Sequence, residues 1–211
     1  MNDIIIGIVS RDEQINNTFY KSITKNNIKY LNDKCCYVGI LNFDNNQKIN
    51  KKILDICDGI IFQGGSDIYD YHFDILNYCV NNNIPVLGIC MGHQIIGLYA
   101  NKEKENDLIK VNNHFSLTNK HQIHINKESI LYNLFGETID VNSRHLYKIN
   151  SISKPFILSA YSNDNTIEAI EWVDKDHWVL GIQWHPEDMD NMEPLYNYFI
   201  QEIKRRRKKQ L

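Results

Sequence analysis

A run of apolar residues, Pro85-Val86-Leu87-Gly88-Ile89, leads straight into Cys90-Met91-Gly92-His93-Gln94, which has the composition of a helix start. A strand that becomes a helix with no loop between them belongs to α/β layering, in which the strand is covered on both faces. Gly88 and Gly92 flank the turn because a tight elbow brings the two backbones together and leaves little room for Cβ atoms. The pattern is the thiol counterpart of the hydrolase elbow, where a nucleophile sits on a strained strand-to-helix turn. A helix N-terminus also favours the thiolate, which is the reactive form of cysteine.

The rest of the chain keeps the same rhythm. Residues 4–9 and 37–41 read as strands, and the polar segment 16–34 between them, with its spaced apolar residues, predicts a helix. Residues 58–62 form another buried run, 71–83 have helical spacing, and 85–89 supply the strand of the elbow. Together these predict a mostly parallel central sheet with helices on both faces. From His121 onward, short alternating segments at 122–125, 138–141, 156–161, 166–173 and 178–183 predict an added antiparallel part. Residues 194–207 predict a closing helix with Pro194 in its first turn, where a missing N–H does no harm. With neither repeat nor linker, residues 1–211 are expected to form one domain, large enough to bury roughly 70% of its unfolded surface.

Composition narrows the partners. A net charge of −3 favours no polyanion. No apolar run approaches the roughly 20 residues of a membrane span, and Met1-Asn2-Asp3 lacks the basic region of a leader, so a cytoplasmic location without membrane contact is expected. The five cysteines are odd in number and form no C-x-x-C pair, which argues against a disulfide framework or a zinc site. Cys35, Cys36, Cys57 and Cys79 read as small hydrophobes. The basic run 204–209 has no interleaved aromatics and reads as a solvated helix end that complements the dipole, not as a nucleic-acid site.

Two further segments carry chemistry. In Gly181-Ile182-Gln183-Trp184-His185-Pro186-Glu187 a histidine follows a strand, and a carboxylate stands two residues on, across a proline that restrains the turn. Alone, His-Pro-Glu would equally fit a helix start; with the Cys90 elbow upstream it reads as a base, His185, and its orienting group, Glu187. Phe62-Gln63-Gly64-Gly65-Ser66-Asp67 lies at the carboxyl end of a predicted strand, where open parallel sheets place their ligands. A Gly-Gly turn can aim backbone N–H groups at an oxyanion, and the Gly65 and Met91 amides are the candidates.

The order GGSD, GICMGHQ, VNSRH, QWHPE resembles the class I glutamine amidotransferase superfamily, and most of all its γ-glutamyl-γ-aminobutyrate hydrolase branch, which is peptidase C26-like. The resemblance covers nearly the whole chain. It implies a flavodoxin-like architecture, a Cys-His-Glu triad at Cys90, His185 and Glu187, a thioester intermediate, and neither metal nor organic cofactor. It places Gly64, Gly65 and the Met91 amide around a γ-carbonyl oxygen, Gln94 beside the glutamyl group, and Asn142, Ser143 and His145 in a substrate-lining loop. Asn142 and Ser143 would equally suit a turn cap at a strand end, and His93 and His114 are expected to be structural. That branch carries a longer insert between the Gly-Gly turn and the nucleophile strand, whereas residues 67–85 leave room for one helix, so the leaving amine stays open. The activity expected is hydrolysis of a small γ-glutamyl amide to glutamate and an amine. The alternative is a glutaminase subunit that cleaves glutamine and delivers ammonia to a separate synthetase. Whether such a synthetase or a second copy of the chain is a partner also stays open.

Overall fold

The computed structural model describes residues 3–210, with side chains as far as Arg207. Met1 and Asn2, on which the expectation of no leader rests, lie outside the described residues. In chain order the strands and α-helices are β1 (Ile5–Val9), β2 (Arg11–Ile15), β3 (Thr18–Ser22), β4 (Cys36–Ile40), α1 (Lys52–Asp55), β5 (Gly59–Phe62), α2 (Asp70–Asn81), β6 (Val86–Ile89), α3 (Met91–Asn101), β7 (Ile109–Lys110), β8 (Phe115–Ile125), α4 (Ile130–Phe135), β9 (Thr138–Arg144), β10 (Tyr147–Lys148), β11 (Ile157–Ser162), β12 (Ile167–Val173), β13 (Trp178–Ile182) and α5 (Glu193–Gln210).

Nine strands form one sheet in the order β4-β1-β5-β6-β13-β12-β11-β8-β9. Strands β4, β1, β5, β6 and β13 run parallel, and β12, β11, β8 and β9 extend the sheet with antiparallel pairings. Alternation along each strand sends side chains to two cores. On one face Ile6, Ile8, Leu87 and Leu180 pack with Leu195, Phe199 and Ile203 of α5. On the other, Ile60, Phe62 and Val86 pack with Ile75 and Leu76 of α2 and with Ile95, Ile96 and Leu98 of α3. Coverage on both faces is why β5 and β6 read as unbroken apolar runs. No helix among the described residues is long and apolar enough to cross a membrane.

The helix expected over 16–34 does not form. Asn16 and Asn17 take φ of 48° and 63° between the paired residues Ile15 and Thr18. A two-residue turn with both φ values positive matches the twist of antiparallel strands, and Asn tolerates that region better than most residues. The segment therefore folds as the β2–β3 hairpin, followed by a 3-10 turn at Lys25–Ile28. Its apolar residues do not mark a helical face: Phe19 and Tyr20 are exposed.

Cys36 is exposed, so it does not pack as the small hydrophobe expected, whereas Cys57 and Cys79 are buried and burial pushes the Cys79 thiol well up. The basic tail is also less solvated than its composition suggests. Arg206 is buried and its guanidinium donates to the carbonyls of Asp174, Lys175 and His177. Arg205 pairs with Glu202, and Lys208 and Lys209 have no described side chains.

Candidate active site

Cys90 occupies the corner between β6 and α3 at φ 51°, ψ −99°, a conformation that costs a non-glycine residue on the order of 1–3 kcal/mol. Its neighbours make the corner obligatory. A Cβ on Gly88 would stand 2.6 Å from the Gly92 carbonyl, and one on Gly92 would stand 2.4 Å from the Phe62 oxygen. The Cys90 N–H donates to the Ile182 oxygen at 2.8 Å, which ties the elbow to the end of β13. That strand end continues through buried Gln183 and Trp184 to His185.

His185 Nδ1 lies 2.7 Å from Glu187 Oε1. A carboxylate only accepts, so Nδ1 carries a proton and Nε2 is left for the substrate side. Burial disfavours the imidazolium, yet the Cys90 charge, hydrogen bonding to Cys90 and the Glu187 carboxylate outweigh it and raise the His185 pKa to about 10. His185 thus interacts directly with the Cys90 side chain. Gly64 makes space for it, since a Cβ there would stand 2.7 Å from His185 Cε1. A Cβ on Gly65 would stand 2.9 Å from Met91 Sδ, so the Met91 side chain packs against the Gly65 backbone.

The remaining residues marked by sequence fall into different places. Asn142 contacts the base directly: its Oδ1 accepts from the His185 N–H at 2.8 Å, and its Nδ2 donates to the His185 oxygen at 2.9 Å. Gln94 is buried, donating to the Tyr147 oxygen at 2.8 Å and to Gln183 Oε1 at 3.5 Å. Ser143 and His145 do not join the cavity wall, because alternation along β9 turns Val141 and Ser143 inward while Asn142 and Arg144 face His185 and Asp188. The Ser143 hydroxyl donates to the His114 oxygen, and His145 Nδ1 donates to the Tyr147 oxygen. His93 is buried, and burial lowers its pKa to about 4.

Several residues at the site escaped sequence reasoning. A cavity of about 650 Å³ opens over Cys90 and His185 and is walled by Arg11, Asp12, Glu13 and Phe19 of the hairpin, with Tyr69 and Arg144. The hairpin supplies a wall where residues 67–85 are short, and reading that segment as a helix hid it. Gln63 pins the hairpin: its Nε2 donates to the Val9 and Ser22 oxygens, and its Oε1 accepts from Thr24 N–H and Asn27 Nδ2. Arg11 donates to the Gly64 oxygen. Gln183 Nε2 points at Cys90 Sγ from 3.7 Å, and its place two residues before His185 was the available signal.

The model of the Peptidase C26 family matches residues 69–187. A γ-glutamyl-CDP-amidate hydrolase from Campylobacter jejuni is 28% identical over 159 residues, covering 68% of this chain and 70% of that protein. A glutamine-hydrolyzing GMP synthase subunit from Picrophilus torridus is 29% identical over 164 residues, covering 74% of this chain and 82% of that protein. A solved structure from Thermoplasma acidophilum, described as a GMP synthase subunit, superposes over 100% of this chain and 98% of its own with a TM-score of 0.71 at 21% identity. At that identity the likeness concerns the fold alone.

Proposed function

The chain belongs to the Peptidase C26 family, and from that premise we propose that residues 1–211 act as one domain, a cysteine-dependent hydrolase of a γ-glutamyl amide bond. The observation that carries this reading is the pairing of a strained Cys90 elbow with His185, whose Nδ1 is held by Glu187 at 2.7 Å. Cys90 thiolate attacks the γ-carbonyl carbon, forming a C–S bond as the π pair moves to oxygen, which the Gly65 and Met91 N–H groups receive. His185 gives its Nε2 proton to the leaving nitrogen, the C–N bond breaks, and a γ-glutamyl thioester remains. Water then loses a proton to His185 and attacks the thioester, releasing glutamate and regenerating the thiolate. Every step uses groups of this chain. Ser143 and His145 act in this scheme by supporting strand β9, which carries Asn142 and Arg144, and Gln94 by holding the Tyr147 carbonyl just beyond it.

The cavity favours an amine larger than ammonia. About 650 Å³ walled by charged and aromatic side chains far exceeds what ammonia needs, and the likeness to a hydrolase of a nucleotide-linked amidate supports a bulky leaving group. The GMP synthase relatives support the other reading, a glutaminase that feeds a separate synthetase. The test is kcat/KM for a panel of γ-glutamyl amides and for glutamine, with and without synthetases encoded nearby. Preference for a substituted amide by the chain alone supports the hydrolase. Cleavage of glutamine only, and only with a partner added, overturns it.

A further inference from the structure

A second cluster of chemistry-bearing side chains lies where the antiparallel strands meet, apart from Cys90. Glu168 of β12 is fully buried, and its Oε1 is approached by three imidazoles: His114 Nδ1 at 3.4 Å, His121 Nε2 at 3.1 Å and His145 Nε2 at 3.7 Å. The donor atoms of His114, His145 and Glu168 all lie within 4.8 Å of one another. Two of them, His145 Nε2 and Glu168 Oε2, are buried and make no hydrogen bond among the described residues.

The outward hydrogen bonds of the two buried rings determine what their inward atoms can be. His145 Nδ1 faces the Tyr147 carbonyl at 3.0 Å, which accepts only, so that nitrogen carries a proton and Nε2 presents a lone pair when the ring is neutral. His114 Nε2 faces Asp164 Oδ2 at 2.9 Å. A carboxylate oxygen accepts, so that nitrogen carries a proton. His114 Nδ1 is therefore also a lone-pair atom when the ring is neutral. The Ser143 hydroxyl cannot relieve it, because its proton goes to the His114 oxygen at 2.7 Å.

Neutral rings would thus aim two lone pairs at a buried carboxylate. Protonating His114 alone would pair it with Glu168 and Asp164 but leave the His145 Nε2 lone pair aimed at the carboxylate, and protonating both would set two imidazolium rings with centroids 4.7 Å apart inside the protein. One divalent cation removes the conflict, since two neutral imidazoles and a carboxylate are a ligand set suited to zinc-class metals. Ligating histidines characteristically donate their distal N–H to a carboxylate or backbone carbonyl, which is the arrangement at His114 and His145.

We propose that His114 Nδ1, His145 Nε2 and Glu168 bind a divalent transition-metal ion of the zinc class. His121, partly exposed, orients the same carboxylate from the solvent side. The ion clamps β12 to the segments that precede β8 and follow β9, and so braces Asn142 and Arg144 from behind. It is a structural ion, separate from the chemistry at Cys90.

The experiment uses the full chain with Cys90→Ser, which removes the active-site thiolate as a rival ligand. After chelation and dialysis the protein is titrated with Co²⁺ alone, followed by visible d–d absorption and displacement by Zn²⁺. One equivalent of Co²⁺ is expected, lost with Glu168→Gln or His145→Gln. Asp164→Asn leaves every ligand in place, and its amide oxygen can still accept from the Ser162 hydroxyl and the Thr166 N–H while His114 loses its charged partner, so the turn is kept and about 10- to 100-fold weaker binding is expected. Absence of Co²⁺ uptake by the folded chain overturns the proposal. Uptake that Asp164→Asn leaves unchanged overturns it too, even where the buried variants fail to fold.

Discussion

The side-chain amide of Asn142 meets the backbone of His185 as a neighbouring strand would, accepting from its N–H at 2.8 Å and donating to its carbonyl at 2.9 Å. Beyond Gln183, whose N–H still donates to the Glu168 oxygen, the chain leaves the ladder with β12 and β6, so the backbone of His185 relies on this substitute pairing. Asn142→Ala is expected to lower kcat by up to about 100-fold with a smaller change in KM, since a displacement near 1 Å can have that effect. Loss of the two partly buried partners costs about 1–3 kcal/mol of stability. Steady-state kinetics and denaturant unfolding check both; a change confined to KM would instead give Asn142 a substrate contact.

Cys90→Ala should abolish turnover, and Cys90→Gly should do the same while being the more stable of the two. Both lack the thiol, but alanine keeps a Cβ at φ 51°, a strain of about 1–2 kcal/mol that glycine avoids. Thermal unfolding of the pair decides this, and equal midpoints would mean that the elbow stores no such strain.

The raised pKa of His185 sets two pH effects. The unfolded residue titrates near about 6.5 and the folded one at about 10, so the protein binds the proton more tightly when folded. The stability this contributes is complete below the unfolded value and disappears as pH rises through the folded one. The rate should fall over the same alkaline limb, because the imidazolium must protonate the leaving nitrogen. Glu187→Gln removes one of the causes of the shift, so its kcat/KM profile should lose activity at lower pH than the parent. A limb that does not move would remove Glu187 from the orienting role.

Arg206→Ala should weaken the fold and leave catalysis alone. Its guanidinium is buried against the carbonyls of Asp174, Lys175 and His177, at the turn that joins β12 to β13. Leaving these acceptors without a donor costs about 1–3 kcal/mol, read as a lower denaturant midpoint. The cavity over Cys90 does not include this turn, so kcat/KM should stay within a few-fold. A truncation from residue 204 combines this loss with shortening of α5 and should be less stable still.

What the sequence alone determined is local. The Cys90 elbow was legible because steric crowding acts across a few residues, and Gly88, Cys90 and Gly92 record it as a spacing. The neighbourhood of His185 and Glu187 was legible because Pro186 joins them in one turn, and the long buried strands because burial on both faces leaves apolar runs. What only the tertiary structure decided involves partners distant in the chain. The hairpin over the cavity was hidden because Phe19 and Tyr20 imitate helical spacing, while the turn at Asn16 and Asn17 takes its meaning from Ile15 pairing with Thr18. In VNSRH the residue types are plain, but which of them face His185 depends on how β9 pairs with β8, and a strand segment has two faces until a neighbour covers one. The three imidazoles around Glu168 share no spacing at all, since β8, the residue before it and the residue after β9 meet β12 only by lateral order in the sheet.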